Sequence, residues 1–263
     1  MNLTSITGFI LCFAIILSGI ATNGGLSSIG TFIHFPSMLV TFGGAFLAVL
    51  AASDSFQDYL DGLKSFPEAL RKPKHSAKEV PKKILEISET ARKEGLLALE
   101  ERAADVEDEF LKKGIMLIVD GTDPELVKDI LETEMMYKEE RNQVKIHFWE
   151  DLGSFAPAWG MVGTLIGLIY MMRSMGADTA SIGSGMSLAL ITTLYGSILS
   201  NWICAPIVRK MKKNNESESL AMALTIEGVL SVQAGDNPRV INEKMKAFFN
   251  ENHRETVSEA VVE

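Results

Sequence analysis

Charged side chains are missing from four long stretches of this sequence: no Asp, Glu, Lys or Arg falls within residues 5–21, 36–52, 155–172 or 183–207. Each stretch is close to the ~20 apolar residues that an α-helix needs to cross a bilayer. An ion crossing hydrocarbon normally meets an acidic side chain at membrane depth. This chain offers none there, so any ion path along it must take its carboxylate from a partner helix. Cysteine is scarce as well. Cys12 and Cys204 both lie inside apolar stretches and form no CxxC pair, which excludes a disulfide framework and reads as small buried hydrophobes. The four histidines, His34, His75, His147 and His253, are too scattered for a metal site within one chain. A Walker loop, a GxSxG elbow and an HExxH helix are all absent, so no enzyme chemistry and no cofactor are expected. The formal charge of −9 excludes nucleic acid as a partner, because phosphate binding needs a basic surface.

What is present is a pattern of four apolar spans separated by segments dense in Lys and Glu. The first span has no Lys or Arg before it, and a second follows after a short uncharged connection. It therefore reads as a transmembrane helix and not as a cleaved signal peptide. Lys and Arg gather between Ser53 and Glu150 and again after Ile207, with only Arg173 elsewhere. The positive-inside rule then puts both termini and the large loop in the cytoplasm. The expected fold class is all-α, a polytopic membrane protein with four transmembrane helices and a helical cytoplasmic domain. Residues 1–52 hold transmembrane helices 1 and 2, and 53–150 form the cytoplasmic helical domain. Residues 151–208 hold helices 3 and 4, and 209–263 form a cytoplasmic helical extension and C-terminal tail.

The cytoplasmic parts read as helical. Val80, Ile84, Ile87 and Ala91 recur at helical spacing, and the pattern is read as continuing to Ile118. Thr122, Asp123 and Pro124 form a start signal, followed by Glu125 at the positive end of the helix dipole. That helix is expected to run from the cytoplasm into the third span, with Gly153 and Pro157 as the first breakers. After the fourth span, ESESLAMALTIEGVLSVQA stays helical in pattern up to Gly235. Asp236, Asn237 and Pro238 then start a short amphipathic helix, and the last dozen residues are expected to fray. Gly24, Gly25 and the Ser and Thr residues after them suggest a tight turn, and Pro36 opens the second span.

Three hydroxyls stand out in the charge-free spans: Thr164, Thr192 and Thr193. A threonine in a membrane helix commonly bonds a carbonyl one turn earlier, which is a structural role. The other role open to it is to offer oxygen to a small hard cation along a wet path. Spacing leaves both open. Pro157 and Pro206 stand near the cytoplasmic ends of the third and fourth spans, where each removes a backbone bond and can kink its helix. Gly160, Gly163 and Gly167 fit close packing against a neighbouring helix. In the loop, Arg92 and Lys93 precede Glu100 and Glu101 by about two turns, a spacing that by itself fits a solvated face.

Four segments together resemble the MotA/PomA stator subunits of the bacterial flagellar motor: ARKEGLLALEE, GMVGTLIGL, LITTLYGSILSNWICAPI and EGVLSVQAGDNPRVI. The similarity extends along nearly the whole chain, with four spans in the same arrangement. It implies an inner-membrane, multi-pass subunit that forms a homo-pentamer around a MotB/PomB-type partner, whose transmembrane helix carries the ion-binding Asp. It further implies translocation of Na⁺ or H⁺ and torque on the rotor protein FliG. Carried over residue by residue, the resemblance implies rotor binding by Arg92 and Glu100, with Lys93 and Glu101 adjoining them. It implies coupling by Pro157 and Pro206, and an ion pathway at Thr164, Thr192 and Thr193. These three hydroxyls are then expected to face the partner helix that holds the acid. Proton-type relatives often have Ala at the Thr192 position, so the Thr pair leans toward sodium. PomA-type chains tend to carry an Asp just before the Ala-Pro pair, where this chain has Ser154, with Glu150 and Asp151 nearby. The alternative within the same superfamily is an ExbB/TolQ-like subunit that energises envelope transport; such chains usually have three spans.

Overall fold

The computed structural model describes residues 3–71, 77–174 and 179–249. His75, His253 and the C-terminal tail expected to fray lie outside those residues. In chain order the helices are α1 (Leu3–Gly24), α2 (Phe35–Met38), α3 (Gly44–Ala52), α4 (Phe56–Lys64), α5 (Phe66–Leu70) and α6 (Val80–Glu94). They continue with α7 (Leu99–Ala104), α8 (Glu109–Val119), α9 (Pro124–Ser174), α10 (Thr179–Ser197), α11 (Ala205–Gln233) and α12 (Pro238–Lys246). Two 3₁₀ turns, Leu26–Phe32 and Leu96–Ala98, and two π-helical segments, Leu39–Gly43 and Ile198–Cys204, complete the order. No strand occurs among the described residues. The fold is all-α.

Local chemistry explains the boundaries. Asp123 accepts a hydrogen bond from the Glu125 amide at 2.9 Å, which caps α9 as its sequence signal requires. The helix then runs 51 residues, about 77 Å at 1.5 Å per residue, without interruption through Gly153 and Pro157. The expected continuation into the third span is therefore complete, and neither breaker ends it. Between Lys78 and Ile118 the outcome differs from a single helical pattern. Gly95, at φ 90, ends α6 in a conformation that a side-chain-bearing residue rarely adopts. A second break follows α7, and Asp108 restarts the chain by capping the amides of Phe110 and Leu111. Gly235, at φ 72, closes α11 with the Asp236 amide bonded to the Ser231 carbonyl at 3.0 Å. Asn237 then caps α12 through the Arg239 amide.

The chain divides into two compact units. The first comprises Met1–Lys72 and Gln143–Lys212. Its core joins Ala45, Val49, Ile146, Trp149, Leu152, Ala156, Leu199 and Ile207. Phe35–Ala52, Pro124–Ser174 and Ile182–Gln233 are each long and apolar enough to cross a membrane, by length and composition. A shorter apolar stretch, Ile6–Thr22, lies within α1. Ile10, Leu11 and Ile15 on α1, and Met161, Leu165 and Ile169 on α9, are exposed apolar side chains. In a water-soluble monomer so much exposed apolar surface would be a liability, whereas lipid or neighbouring helices would cover it. Cys12 belongs to this exposed set, so only Cys204 is a buried hydrophobe within the chain.

The connection from α1 to α2 is fixed from α10. The Tyr195 hydroxyl donates to the Phe32 carbonyl and accepts the His34 amide at 3.2 Å. What the sequence suggests as a tight turn is thus a short 3₁₀ helix tied to the fourth span.

The second unit comprises Pro73–Asn142 and Lys213–Glu263. Ile84, Leu99, Leu111, Ile115, Ile118, Leu131, Leu224, Ile241 and Met245 are its largest fully buried side chains. Asn142 bonds Asn215 at 2.8 Å and Glu218 at 3.1 Å, while Lys138 pairs with Glu218 at 2.7 Å, linking α9 to α11. Lys244 closes the α11–α12 turn, reaching Asp236 at 2.9 Å, Ser231 at 3.0 Å and Glu227 at 3.2 Å. The Asp236 carboxyl is held below the usual carboxylate range by its hydrogen bond to Lys244. The Lys244 ammonium is correspondingly raised, first by Asp236 and then by Glu227.

Candidate functional site

Glycines let α9 and α10 approach closely, and this approach assembles the hydroxyl cluster. A Cβ built on Gly160 would come within 2.9 Å of the Thr192 carbonyl, and one on Gly167 within 2.5 Å of the Gly185 carbonyl. A Cβ on Gly163 would overlap the Thr192 side chain itself. The three α9 glycines therefore pack against the neighbouring helix, where small residues allow backbones to meet.

Thr164, from α9, and Thr193, from α10, bring their hydroxyl oxygens to 2.5 Å. The Ala189 carbonyl is shared. Thr164 reaches it at 3.1 Å, Thr192 at 3.0 Å and Thr193 at 3.2 Å. Thr164 also reaches the Gly160 carbonyl and Thr192 the Leu188 carbonyl, each at 3.0 Å. The three residues occupy different environments. Thr193 is exposed and Thr164 half-buried, whereas Thr192 is 0% exposed. The expectation that all three hydroxyls face a partner helix meets this difference: within the chain, Thr192 lies inside the α9–α10 contact, with its methyl over Gly163. Its own carbonyl accepts from the buried Thr41 hydroxyl at 3.3 Å, in the π-helical segment Leu39–Gly43.

Chemically, the cluster is neutral and made of oxygen. Each hydroxyl carries one proton but keeps lone pairs, so Thr164 and Thr193 can turn oxygen toward a hard cation while Ala189 supplies a carbonyl. A carboxylate is missing from the cluster, and residues 155–172 and 183–207 around it hold no Asp or Glu. Among the described residues no group of three or more His, Cys, Asp or Glu forms a metal centre.

Pro157 is exposed inside α9 and cannot donate to the carbonyl one turn back, that of Gly153. Ser200 donates its hydroxyl to that carbonyl instead, at 2.7 Å. Pro206 is exposed in the first turn of α11, directly after the π-helical segment Ile198–Cys204. Of the acids near Ser154, Glu150 is occupied: its carboxylate lies 2.5 Å from Lys212 and 3.9 Å from His147.

The loop charges form a separate set in the second unit. Arg92 and Lys93 sit in the last turn of α6, and Glu100 and Glu101 in the first turn of α7, all exposed. The Gly95 turn and the 3₁₀ turn Leu96–Ala98 separate the two pairs, and Leu97 between them is 75% exposed. Lys93 pairs with Glu89 at 3.4 Å, an exposed contact of small energetic weight. Both also line a groove of about 680 Å³ between α6 and residues 102–111.

Sequence reasoning missed Thr41, Ser200 and Tyr195. Their only sequence signal is a polar atom within an apolar run, and the π-helical segments that present Thr41 and Ser200 have no residue signature.

Residues 102–223 match the MotA/TolQ/ExbB proton channel family. The chain is 37% identical to motility protein A of Treponema phagedenis over 251 residues, 95% of each chain. It is 37% identical over 254 residues to the chemotaxis protein PomA of Vibrio alginolyticus, covering 97% of this chain and 98% of that one. Its fold is similar to a chain of the flagellar MotAB stator complex from Bacillus subtilis, with a TM-score of 0.86, 31% identity and coverage of 96% and 98%. An all-α chain with apolar spanning helices and full-length likeness to motility proteins leaves one family: this chain belongs to the MotA/PomA family, within the MotA/TolQ/ExbB proton channel family.

Proposed function

We propose that this chain is the MotA/PomA-type subunit of a sodium-driven flagellar stator. The observation that carries the reading is the Thr164–Thr193 hydroxyl contact, an oxygen-rich and charge-free site on a chain whose spans hold no acid. Such a site needs a partner, and a MotB/PomB-type helix bearing an Asp supplies the missing charge. The stator proteins with which this fold is similar are MotAB complexes. In this reading Thr164 and Thr193 lend oxygens to the passing sodium ion, and Thr192 holds the α9–α10 contact that positions them. Five copies surround the partner in the bacterial inner membrane, with both termini in the cytoplasm.

Arg92, Lys93, Glu100 and Glu101 contact the rotor protein FliG, and Pro157 and Pro206 are the points where events in the spans reach the cytoplasmic helices. An ExbB/TolQ-like role in envelope transport has less support, because relatives named for motility align with this chain nearly end to end.

The test expresses the full chain with its MotB-type partner in cells lacking their own stator. Swimming speed should rise with external sodium at a fixed proton gradient. Speed that ignores sodium and collapses with a protonophore would assign the ion as H⁺ and overturn the sodium reading.

A further inference from the structure

The bond between Ser200 and Gly153 has a cause that assigns it a role. An interior proline leaves the carbonyl four residues earlier without its helical donor, and in an apolar surrounding an unpaired carbonyl is costly. Pro157 does this to Gly153. Neighbouring helices can re-satisfy such a group, and here one specific atom does so: the Ser200 hydroxyl, 2.7 Å away and half-buried. Ser200 belongs to the π-helical segment Ile198–Cys204, which ends two residues before Pro206. The same helix contact is tight next to the proline, since a Cβ on Gly196 would come within 2.5 Å of the Ala156 carbonyl and 3.1 Å of the Pro157 Cα. A Cβ on Gly153 would meet Cys204 at 3.1 Å.

We infer that Ser200 is a positioning residue for the coupling step: its hydroxyl replaces the backbone donor that Pro157 lacks and ties the break in α9 to the π-helical segment leading to Pro206. The two prolines are thereby joined through one side-chain hydrogen bond. A π-helical segment departs from the regular i→i−4 ladder, and such insertions are frequent at functional sites. Movement at one proline is thus transmitted to the other. This inference rests on the coupling reading of Pro157.

The test uses the full chain with its MotB-type partner, with 1-¹³C-glycine and ¹⁵N-serine labels. Only three Gly-Ser pairs occur in the sequence, 153–154, 183–184 and 196–197, so with the partner left unlabelled the Gly153 carbonyl is one of three resonances. Ser200→Ala should move that resonance upfield and reduce swimming speed at unchanged membrane content, and Ser200→Thr should restore both. In a Pro157→Ala background, residue 157 regains its N–H, and Ser200→Ala should then leave the Gly153 resonance in place. An unchanged resonance in Ser200→Ala overturns the bond. A moved resonance with normal swimming overturns the positioning role. Normal swimming in Pro157→Ala alone would overturn the coupling reading, while the carbonyl resonance still decides the bond.

Discussion

The hydroxyls of Thr164 and Thr193 meet at 2.5 Å across the α9–α10 contact, and both reach the Ala189 carbonyl. A pair of side chains 29 positions apart thereby becomes one oxygen site, and the site has no charge of its own. On the proposed reading, its affinity for a cation comes from the acid that a partner helix places beside it.

Removing one oxygen should therefore weaken ion passage without unfolding the chain. Thr193→Ala is expected to lower sodium flux roughly three- to tenfold, the factor corresponding to ~1 kcal/mol for one polar contact. Thr4→Ala, on the exposed start of α1, should leave it unchanged. Sodium uptake by vesicles holding the complex reads both, and equal effects would remove the special role of Thr193.

Charge reversal separates rotor contact from assembly. Arg92 and Glu100 are exposed at the α6 end and the α7 start, so Arg92→Glu and Glu100→Lys should leave folding and membrane content near wild type. Swimming on soft agar should fall in both. Normal motility in the two reversals would withdraw the rotor assignment from these positions.

The glycine contact predicts different outcomes for two similar substitutions. At Gly167 a Cβ would press into the Gly185 carbonyl and the Ala189 amide, so Gly167→Ala should destabilise by ~1–3 kcal/mol through overpacking. At Gly183 nothing lies within 4 Å, and Gly183→Ala should be neutral or stabilise by up to ~1 kcal/mol through helix propensity. Thermal unfolding of the detergent-purified complex distinguishes them. Shifts of the same sign and size would contradict the close α9–α10 approach.

The Lys244 cluster predicts a pH window. Because the folded Asp236 carboxyl titrates below its ordinary value, its contribution is present above that value and fades as pH falls through the folded one. Lys244 is raised, so its share is present below its ordinary value and is lost as pH rises through the folded one. The turn should hold from mildly acidic to mildly alkaline pH and loosen at either extreme. The Lys244 and Asp236 side chains are 43% and 27% exposed, so the effect on stability is small. Hydrogen exchange at the Asp236 amide, bonded to the Ser231 carbonyl, should report it, and Lys244→Met should flatten the profile.

Much of the helical plan is legible in the residues themselves, for identifiable reasons. Asp123-Pro124 marks the start of α9, Gly235 the end of α11 and Asn237-Pro238 the start of α12, because caps, proline and left-handed glycine act within a few residues. The apolar pattern running to Ile118 hides the breaks at Gly95 and before Asp108, since burial periodicity continues across a short turn. The hydroxyls can be named from the sequence but not placed. That Thr192 is 0% exposed while its neighbour Thr193 is exposed depends on which side of α10 the α9 glycines approach.

The sequence by itself determined that the spans carry no charge and that the chain is built of helices. These properties are fixed by residue type and by interactions within one helix. Only the tertiary structure decided that Thr164 meets Thr193, that Thr192 is enclosed, and that Ser200 serves the carbonyl which Pro157 leaves without a donor. Each of these joins residues from different helices. Their meeting depends on how closely two backbones approach and in what register, which is set by packing and is not written in any single segment.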